Sequence, residues 1–240
     1  MARGARLVMA WGGDGTINEV ASALVFREVP MGIVPAGSGN GLARQLSISR
    51  TPADAIRQAI SAKPRRIDVG EMGDRLFVNV AGIGFDAHVA WRFNEEGSRR
   101  RGLLTYALIA ARALVTYVPA RYTIRTGDEA SPPAVRAVLV TVANSAEFGN
   151  GAIIAPGARV DDGQLDLVVM EERSRLNTIL QLPRLFRGTV DRAKGCSIRR
   201  ISDATIESDQ PMVYHVDGEP VSGGTSLRVR VNPAALYVAV

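Results

Sequence analysis

One cysteine, Cys196, is all the sequence offers, so no internal disulfide can form and a reducing, cytoplasmic setting fits best. That excludes a disulfide-stapled secreted scaffold. Aromatic residues are scarce as well, at 5%, and none interleave with basic residues as a base-stacking platform requires. Nucleic acid is therefore not an expected partner. Nor is there a clear membrane span. The nearest run, Leu103 to Val118, carries Arg112 in its middle and stops at Pro119, whereas a span needs ~20 mostly apolar residues and a central arginine costs ~2.5 kcal/mol or more. It reads as a buried or lipid-facing helix. The basic start, Met1 to Arg6, leads through Leu7–Trp11 straight into a glycine loop, which is the grammar of a strand rather than of a signal peptide.

What is present is a globular composition, 46% apolar and 22% charged over 240 residues, enough for one large domain or two modest ones. Net charge is +5, and the basic residues cluster at Lys63/Arg65/Arg66, at Arg99 to Arg101 and from Arg173 through Arg200. Such patches suit anionic membrane surfaces, phosphorylated ligands or nucleic acid, and each taken alone is equally well a solvated face.

From Leu7 to about Ala62 the chain alternates strand, glycine loop and helix, the arrangement that builds a parallel sheet covered by helices. Leu7–Trp11 is the first expected strand, followed by a helix with Ile17, Val20, Ala21, Leu24 and Val25 at helical spacing. Thr16 and Glu19 form a capping-box signature at its start. Met31–Val34 is the second strand, Leu42–Leu46 a helical turn, and a helix from Thr51-Pro52 carries Ala55, Ile56, Ala59 and Ile60 on one face. After Lys63-Pro64 the pattern changes to short strands joined by turn residues. We place a boundary there, giving an α/β lobe at 1–64 and a β-rich lobe at 65–240. Strands are expected at Ile67–Met72 and Leu76–Val80 around a Gly73-Asp74 hairpin, and at Tyr122–Thr126, Val135–Ala143, Leu165–Met170, Ala204–Ser208, Met212–Val216, Leu227–Val231 and Leu236–Val240. These argue for an antiparallel sandwich or open barrel, interrupted by one amphipathic helix with Leu176, Ile179, Leu180 and Leu185 among its apolar positions.

Two loops carry the chemistry of the first part. Gly12-Gly13-Asp14-Gly15-Thr16 lies between a strand and a helix start, where unpaired N–H groups and the helix dipole favour a phosphate and glycines permit close approach. Asp14 repels phosphate oxygens and suits a magnesium ion or a reacting hydroxyl; the alternative is a tight turn that it supports. Pro35–Ala43 repeats the geometry with Ser38 and Asn40, and two parallel units bring both loops to the carboxyl edge of the sheet. In the second part, Asp86 after Asn79–Phe85 is either catalytic or a helix cap. Asp161-Asp162-Gly163-Gln164-Leu165-Asp166 suits a hard cation, or is an Asp-Gly turn. Asp217-Gly218-Glu219 is a hairpin tip, or paired carboxylates for acid and base work. His88 and His215 lack metal-ligand spacing and read as structural.

In order along the chain, GGDGTINEV, VPAGSGNGLA, NVAGIGFDA, IAPGARVDDGQLDL and VDGEP resemble the diacylglycerol kinase catalytic family, which includes bacterial lipid kinases and the sphingosine and ceramide kinases. The resemblance implies an α/β lobe with a parallel sheet, then a β-rich antiparallel lobe, with the active site in the cleft between them. It implies an ATP-dependent kinase that phosphorylates a hydroxyl of a diacylglycerol-like or sphingoid-like lipid, with ATP and Mg2+ as cofactors. By position, Gly12, Gly13, Asp14, Gly15, Thr16, Ile17, Asn18, Glu19, Ser38 and Asn40 would line the ATP site. Asp86 would join a magnesium and water network near the phosphates, and Asp162 would anchor a second, structural magnesium, with Arg159 and Gln164 contributing backbone carbonyls. Glu219 would accept the proton with Asp217 beside it; the sphingosine kinase branch instead gives that role to Asp14, and both remain open. Gly41 stands where many bacterial members have Asp. The family also has about two βα units before GGDGT, and their absence here sets the expectation of a shortened N-terminus. The expected partner is a lipid substrate reached by peripheral contact with the inner face of the membrane, with homo-oligomerisation open. The rival readings are a noncatalytic lipid-binding fragment and a kinase of a soluble substrate such as NAD.

Overall fold

In a computed structural model of the chain, the residues described are 4–95, 109–110, 112–114, 116–127 and 132–240. The first unit is β1 (Val8–Gly12), α1 (Asp14–Leu24), β2 (Met31–Pro35), α2 (Gly41–Gln45) and α3 (Pro52–Ser61). β1 and β2 pair in parallel, from Val8 opposite Met31 to Gly12 opposite Pro35, which sets both glycine loops at one edge. Every residue of β2 is buried, as a parallel strand covered on both faces must be. α1 packs Ile17, Ala21 and Leu24 inward at helical spacing against Ala10, Ile33 and Val34. It begins at Asp14 with Gly13 as cap and no side-chain bond there, so the Thr16/Glu19 capping box is not formed. Ile60 of α3, expected on the inner face, is exposed.

The second unit begins with β3 (Arg65–Met72) and β4 (Arg75–Phe77), a hairpin turning at Gly73, then β5 (Val80–Gly84) and α4 (Phe85–Glu95). The expected strand Leu76–Val80 is thus the end of one strand and the start of another. β6 (Ala120–Arg125), β7 (Val135–Ala143), β8 (Glu147–Gly149), β9 (Ala152–Ile153) and β10 (Leu165–Glu171) follow. Then come α5 (Arg175–Phe186), a 3-10 turn at Val190–Arg192, β11 (Cys196–Ile201), β12 (Asp203–Ser208), β13 (Val213–Val216), β14 (Glu219–Ser222) and β15 (Ser226–Val238). Apart from the β8–β9 hairpin, the strands form one thirteen-stranded sheet, antiparallel throughout the second unit. A core of Phe77, Ile83, Val140, Leu167, Ile206 and Tyr214 fills it.

β15 corrects the expectation of two separate strands at Leu227–Val231 and Leu236–Val240. It is continuous, with a register shift between Asn232 and Leu236 where Pro233 and left-handed Ala234 (φ 51°) sit. Proline is tolerated there because a bulge needs no ladder N–H. Past the bulge β15 still pairs β3, and its end joins β2 in parallel at Val238 opposite Met31. The sheet therefore runs unbroken from the glycine-loop strands into the β-rich part.

Of the segment Leu103 to Val118, residues 103–108, 111 and 115 lie outside the described residues, as does the Arg99 to Arg101 cluster. Ile109 and Ala113 within it are buried against Val89 of α4. Among the described residues no helix is long and apolar enough to cross a membrane.

Candidate active site

The two glycine loops touch. A Cβ on Gly37 would lie 2.6 Å from the Cα of Gly13, and one on Gly13 would lie 3.2 Å from the Cα of Gly37, so the backbones meet at a distance only glycine permits. Asp14 clamps the pair: its Oδ2 accepts from Asn40 N–H at 2.9 Å and its Oδ1 from Gly41 N–H at 2.8 Å. Burial raises the Asp14 pKa, and the N–H donors of Gly41 and Asn40 work against that shift. The second loop is braced from within, since the Asn40 side chain accepts from Gly37 N–H and donates to the Gly37 carbonyl, at 2.9 and 2.7 Å. Ser38 stays exposed on its lip. The first helical bond of α1 is Ile17 N–H to the Gly13 carbonyl, so the N–H groups of Gly15 and Thr16 precede the ladder and are available to an anion.

The β-rich part closes on these loops at two places. Asn79 lies against Gly41, where a Cβ would come 2.4 Å from its Nδ2, and it donates to the Glu147 carbonyl at 2.8 Å. Beside it Arg44 pairs with Glu147 at 2.7 Å. The other place is the β13–β14 turn. Asp217 and Gly218 both have positive φ, 48° and 89°, the signature of a type I′ hairpin. That turn sets Glu219 against the first loop, 3.2 Å from where a Cβ on Gly15 would stand. Glu219 is exposed, as a group that meets substrate has to be.

Asp217 has a different station. Its Oδ1 accepts from the N–H groups of Asn79 and Val80, and its Oδ2 from Val78 N–H and from Asn18 Nδ2, at 2.7–2.9 Å. It is buried, and burial raises its pKa against the pull of those donors. A carboxylate so occupied holds the turn in place and has no lone pair aimed at a substrate, which corrects its pairing with Glu219 as a second acid–base group. Asn18 also donates to the Leu76 carbonyl at 2.9 Å, so it ties α1 to β4 rather than lining an ATP pocket. Ile17 points into the core. Glu19 is exposed on α1, away from the loop's start.

Asp86 is buried within the first turn of α4 and surrounded by donors: Ala87 N–H at 2.8 Å, Thr141 Oγ1 at 3.0 Å and His215 Nε2 at 3.4 Å. His215 accepts from Gly218 N–H on its Nδ1 at 3.3 Å, so its proton is on Nε2, facing Asp86. This network backs the turn that carries Glu219. Its shell of donors does not suit a hard cation, which needs oxygen ligands. At the acidic loop, Asp162 accepts from Gln164 N–H at 3.1 Å and has Arg200 4.0 Å away, while Arg159 is paired with Asp161. Asp68 anchors that loop through Gly163 N–H at 2.7 Å. Among the described residues no three carboxylate, histidine or cysteine side chains gather as a metal cluster.

Residues 1–72 match the family model for the diacylglycerol kinase catalytic domain, and residues 79–240 match that for the YegS C-terminal NAD kinase beta sandwich-like domain. The chain belongs to the diacylglycerol kinase/YegS family. A lipid kinase YegS-like protein of Chromohalobacter salexigens is 30% identical over 237 residues, covering 97% of this chain and 75% of that protein. A diacylglycerol kinase structure from Bacillus anthracis superposes with a TM-score of 0.71 at 19% identity, covering 98% and 76% of the two chains. An ATP complex of an Archaeoglobus fulgidus NAD kinase shares the fold at TM-score 0.56 and 13% identity, covering 98% and 78%. Family membership makes this chain a kinase, with ATP the implied phosphoryl donor.

Sequence reasoning missed Asn79 as the contact to the second loop, although it opens a quoted motif. It also missed His215, whose role depends on residues far from it in the chain.

Proposed function

We propose that this kinase transfers the γ-phosphate of ATP to a hydroxyl of a diacylglycerol-like or sphingoid-like lipid. The observation that carries the reading is Glu219 set against the first glycine loop, so that an exposed carboxylate faces the place where N–H groups favour phosphate. The named lipid and diacylglycerol kinases among the relatives support a lipid acceptor.

The phosphates would lie over Gly15 and Thr16, whose N–H groups and helix dipole offset their charge. The rim of the second loop adds Ser38, Arg44 and Arg50 around a small depression. Glu219 takes the proton of the lipid hydroxyl as its oxygen bonds to the γ-phosphorus; the bond to the β-phosphate oxygen breaks and ADP leaves. A positioned base of this kind contributes about 10²- to 10⁴-fold. Asp14 keeps the second loop in place and Asp217 keeps Glu219 in place. Mg2+ bound with the nucleotide would offset the charge on its phosphates.

The test is a panel of diacylglycerol, sphingoid base, NAD and sugar acceptors with labelled ATP and Mg2+. Labelled phospholipid is expected. Phosphorylation of NAD or a sugar, with every lipid inert, would overturn the reading.

A further inference from the structure

α5 wears its apolar residues on the outside. Ile179, Leu180, Leu182 and Phe186 are 48%, 65%, 41% and 57% exposed, while Leu185 on the other side packs with Phe148, Ile154 and Val190. Ile179, Leu182 and Phe186 recur at i, i+3 and i+7, so they form one stripe, with Leu180 on its flank. Single exposed leucines are ordinary, but a contiguous stripe on one helix marks a contact surface. Charge identifies the partner. From Arg173 through Arg200 the chain has eight basic residues and one acidic residue, Asp191, more positive charge than the whole protein carries net. Arg187, Arg192 and Lys194 are exposed just beyond the stripe.

We propose that this face is a docking surface for an anionic lipid bilayer, with the stripe entering the headgroup boundary and the basic residues resting on lipid phosphates. Long basic side chains suit that position, since their stems can lie along apolar surface while the charge stays at the headgroups. A second copy of the chain is disfavoured, because a face-to-face pair would oppose two like-charged rims. The inference deepens the lipid-kinase reading and rests on it for its purpose. The loop after α5 brings Gly188 against Ile153 of β9; β9 pairs with β8, and Gly149 of β8 meets Gly39 of the second glycine loop. The docked face is therefore one hairpin away from the site where phosphate and lipid hydroxyl must meet.

The full chain is sedimented with vesicles of phosphatidylglycerol in phosphatidylcholine and with phosphatidylcholine alone. Binding to the first is expected, weakened about ten-fold or more by the pair Leu180→Glu/Phe186→Glu and by Arg187→Gln/Arg192→Gln/Lys194→Gln, with the second set also losing the preference for anionic lipid. An independent probe avoids acidic substitutions: Phe186→Trp should be quenched by brominated phosphatidylglycerol well beyond the wild-type tryptophans. Equal quenching in both proteins overturns the proposal. So does a wild-type dimer in sedimentation velocity that Leu180→Glu/Phe186→Glu dissolves while vesicle binding persists. A short-chain lipid below its micelle concentration tests the kinase reading separately, and there the surface variants should match wild type. Vesicle docking without phosphorylation of that lipid leaves the surface standing and sinks the lipid-kinase reading; phosphorylation without Phe186→Trp quenching does the reverse.

Discussion

Replacing Asp217 by Asn tests whether one buried carboxylate holds Glu219 in position. The substitution preserves shape and leaves one oxygen, so of the four bonds at 2.7–2.9 Å two survive, while an NH2 group now faces two donors. An unsatisfied buried donor costs about 1–3 kcal/mol, and two give roughly 2–6 kcal/mol. Relief from burying a charge offsets part of this, which puts the net loss at about 3 kcal/mol. Against a typical domain stability of about 5–15 kcal/mol the variant stays folded at room temperature. Urea denaturation measures the loss, and the kinase assay run on the folded variant should show a reduced kcat, because the turn beneath Glu219 has loosened. Asn18→Ala supplies the control: it removes a single 2.7 Å bond to the same carboxylate, so its cost should shrink in the Asp217→Asn background. A destabilisation below about 0.5 kcal/mol, the ordinary scale of a surface change, would refute the tether.

Glu219→Gln should lower turnover by about 10²- to 10⁴-fold while ATP affinity by titration holds, and retention of more than about a tenth of the rate would remove Glu219 as the base. Asp14→Ala should weaken ATP affinity and turnover together, since it frees the N–H groups of Asn40 and Gly41 from their clamp; unchanged affinity would count against that clamp. Burial, with Asp191 nearby, pushes the Cys196 thiol from 9.0 up to about 11, so iodoacetamide at pH 8 should react about 100-fold more slowly with the native chain than in urea, and equal rates would contradict it. Burial raises the Tyr122 phenol from 10.0 to about 12, opposed by its bond from Tyr117 and aided by the charge of Asp86. Its stabilising share is therefore whole below pH 10 and is lost as pH climbs through 12; Tyr122→Phe should flatten that alkaline loss, seen by circular dichroism.

What the sequence made legible was local. Strand, glycine loop and helix follow each other within a few residues around Gly12–Thr16, and periodicity and turn chemistry report such neighbours directly. The Gly73 and Asp217-Gly218 hairpins were readable for the same reason. Asp217 was readable as a turn residue but not as an anchor, because its donors at Val78, Asn79 and Val80 lie at the β4–β5 junction, more than a hundred residues earlier. Asp14 likewise was readable as a carboxylate in a phosphate loop but not as the clamp on the second loop, because its donors Asn40 and Gly41 lie in the next strand–loop unit. Helical periodicity located α5 and its apolar positions but not the side they face, since a stripe has the same period whichever way it faces. β8 and β9, three and two residues long, are too short to show any alternation. Pro233 made one long strand look like two.

That long strand makes the two lobes a single mechanical object. The end of β15 pairs with Met31, the first residue of the strand that leads into the second glycine loop, and its bulge is pinned by Ala234 N–H to Asp68 at 2.7 Å. A protease nick near residue 64 would not release a free nucleotide lobe, because its sheet would still hold a strand from the far end of the chain. Deleting Leu236–Val240, by contrast, would uncover the edge of β2 and damage the nucleotide side first. Any opening and closing of the cleft has to bend this shared strand, and the bulge at 232–236 is the one place where its ladder already yields.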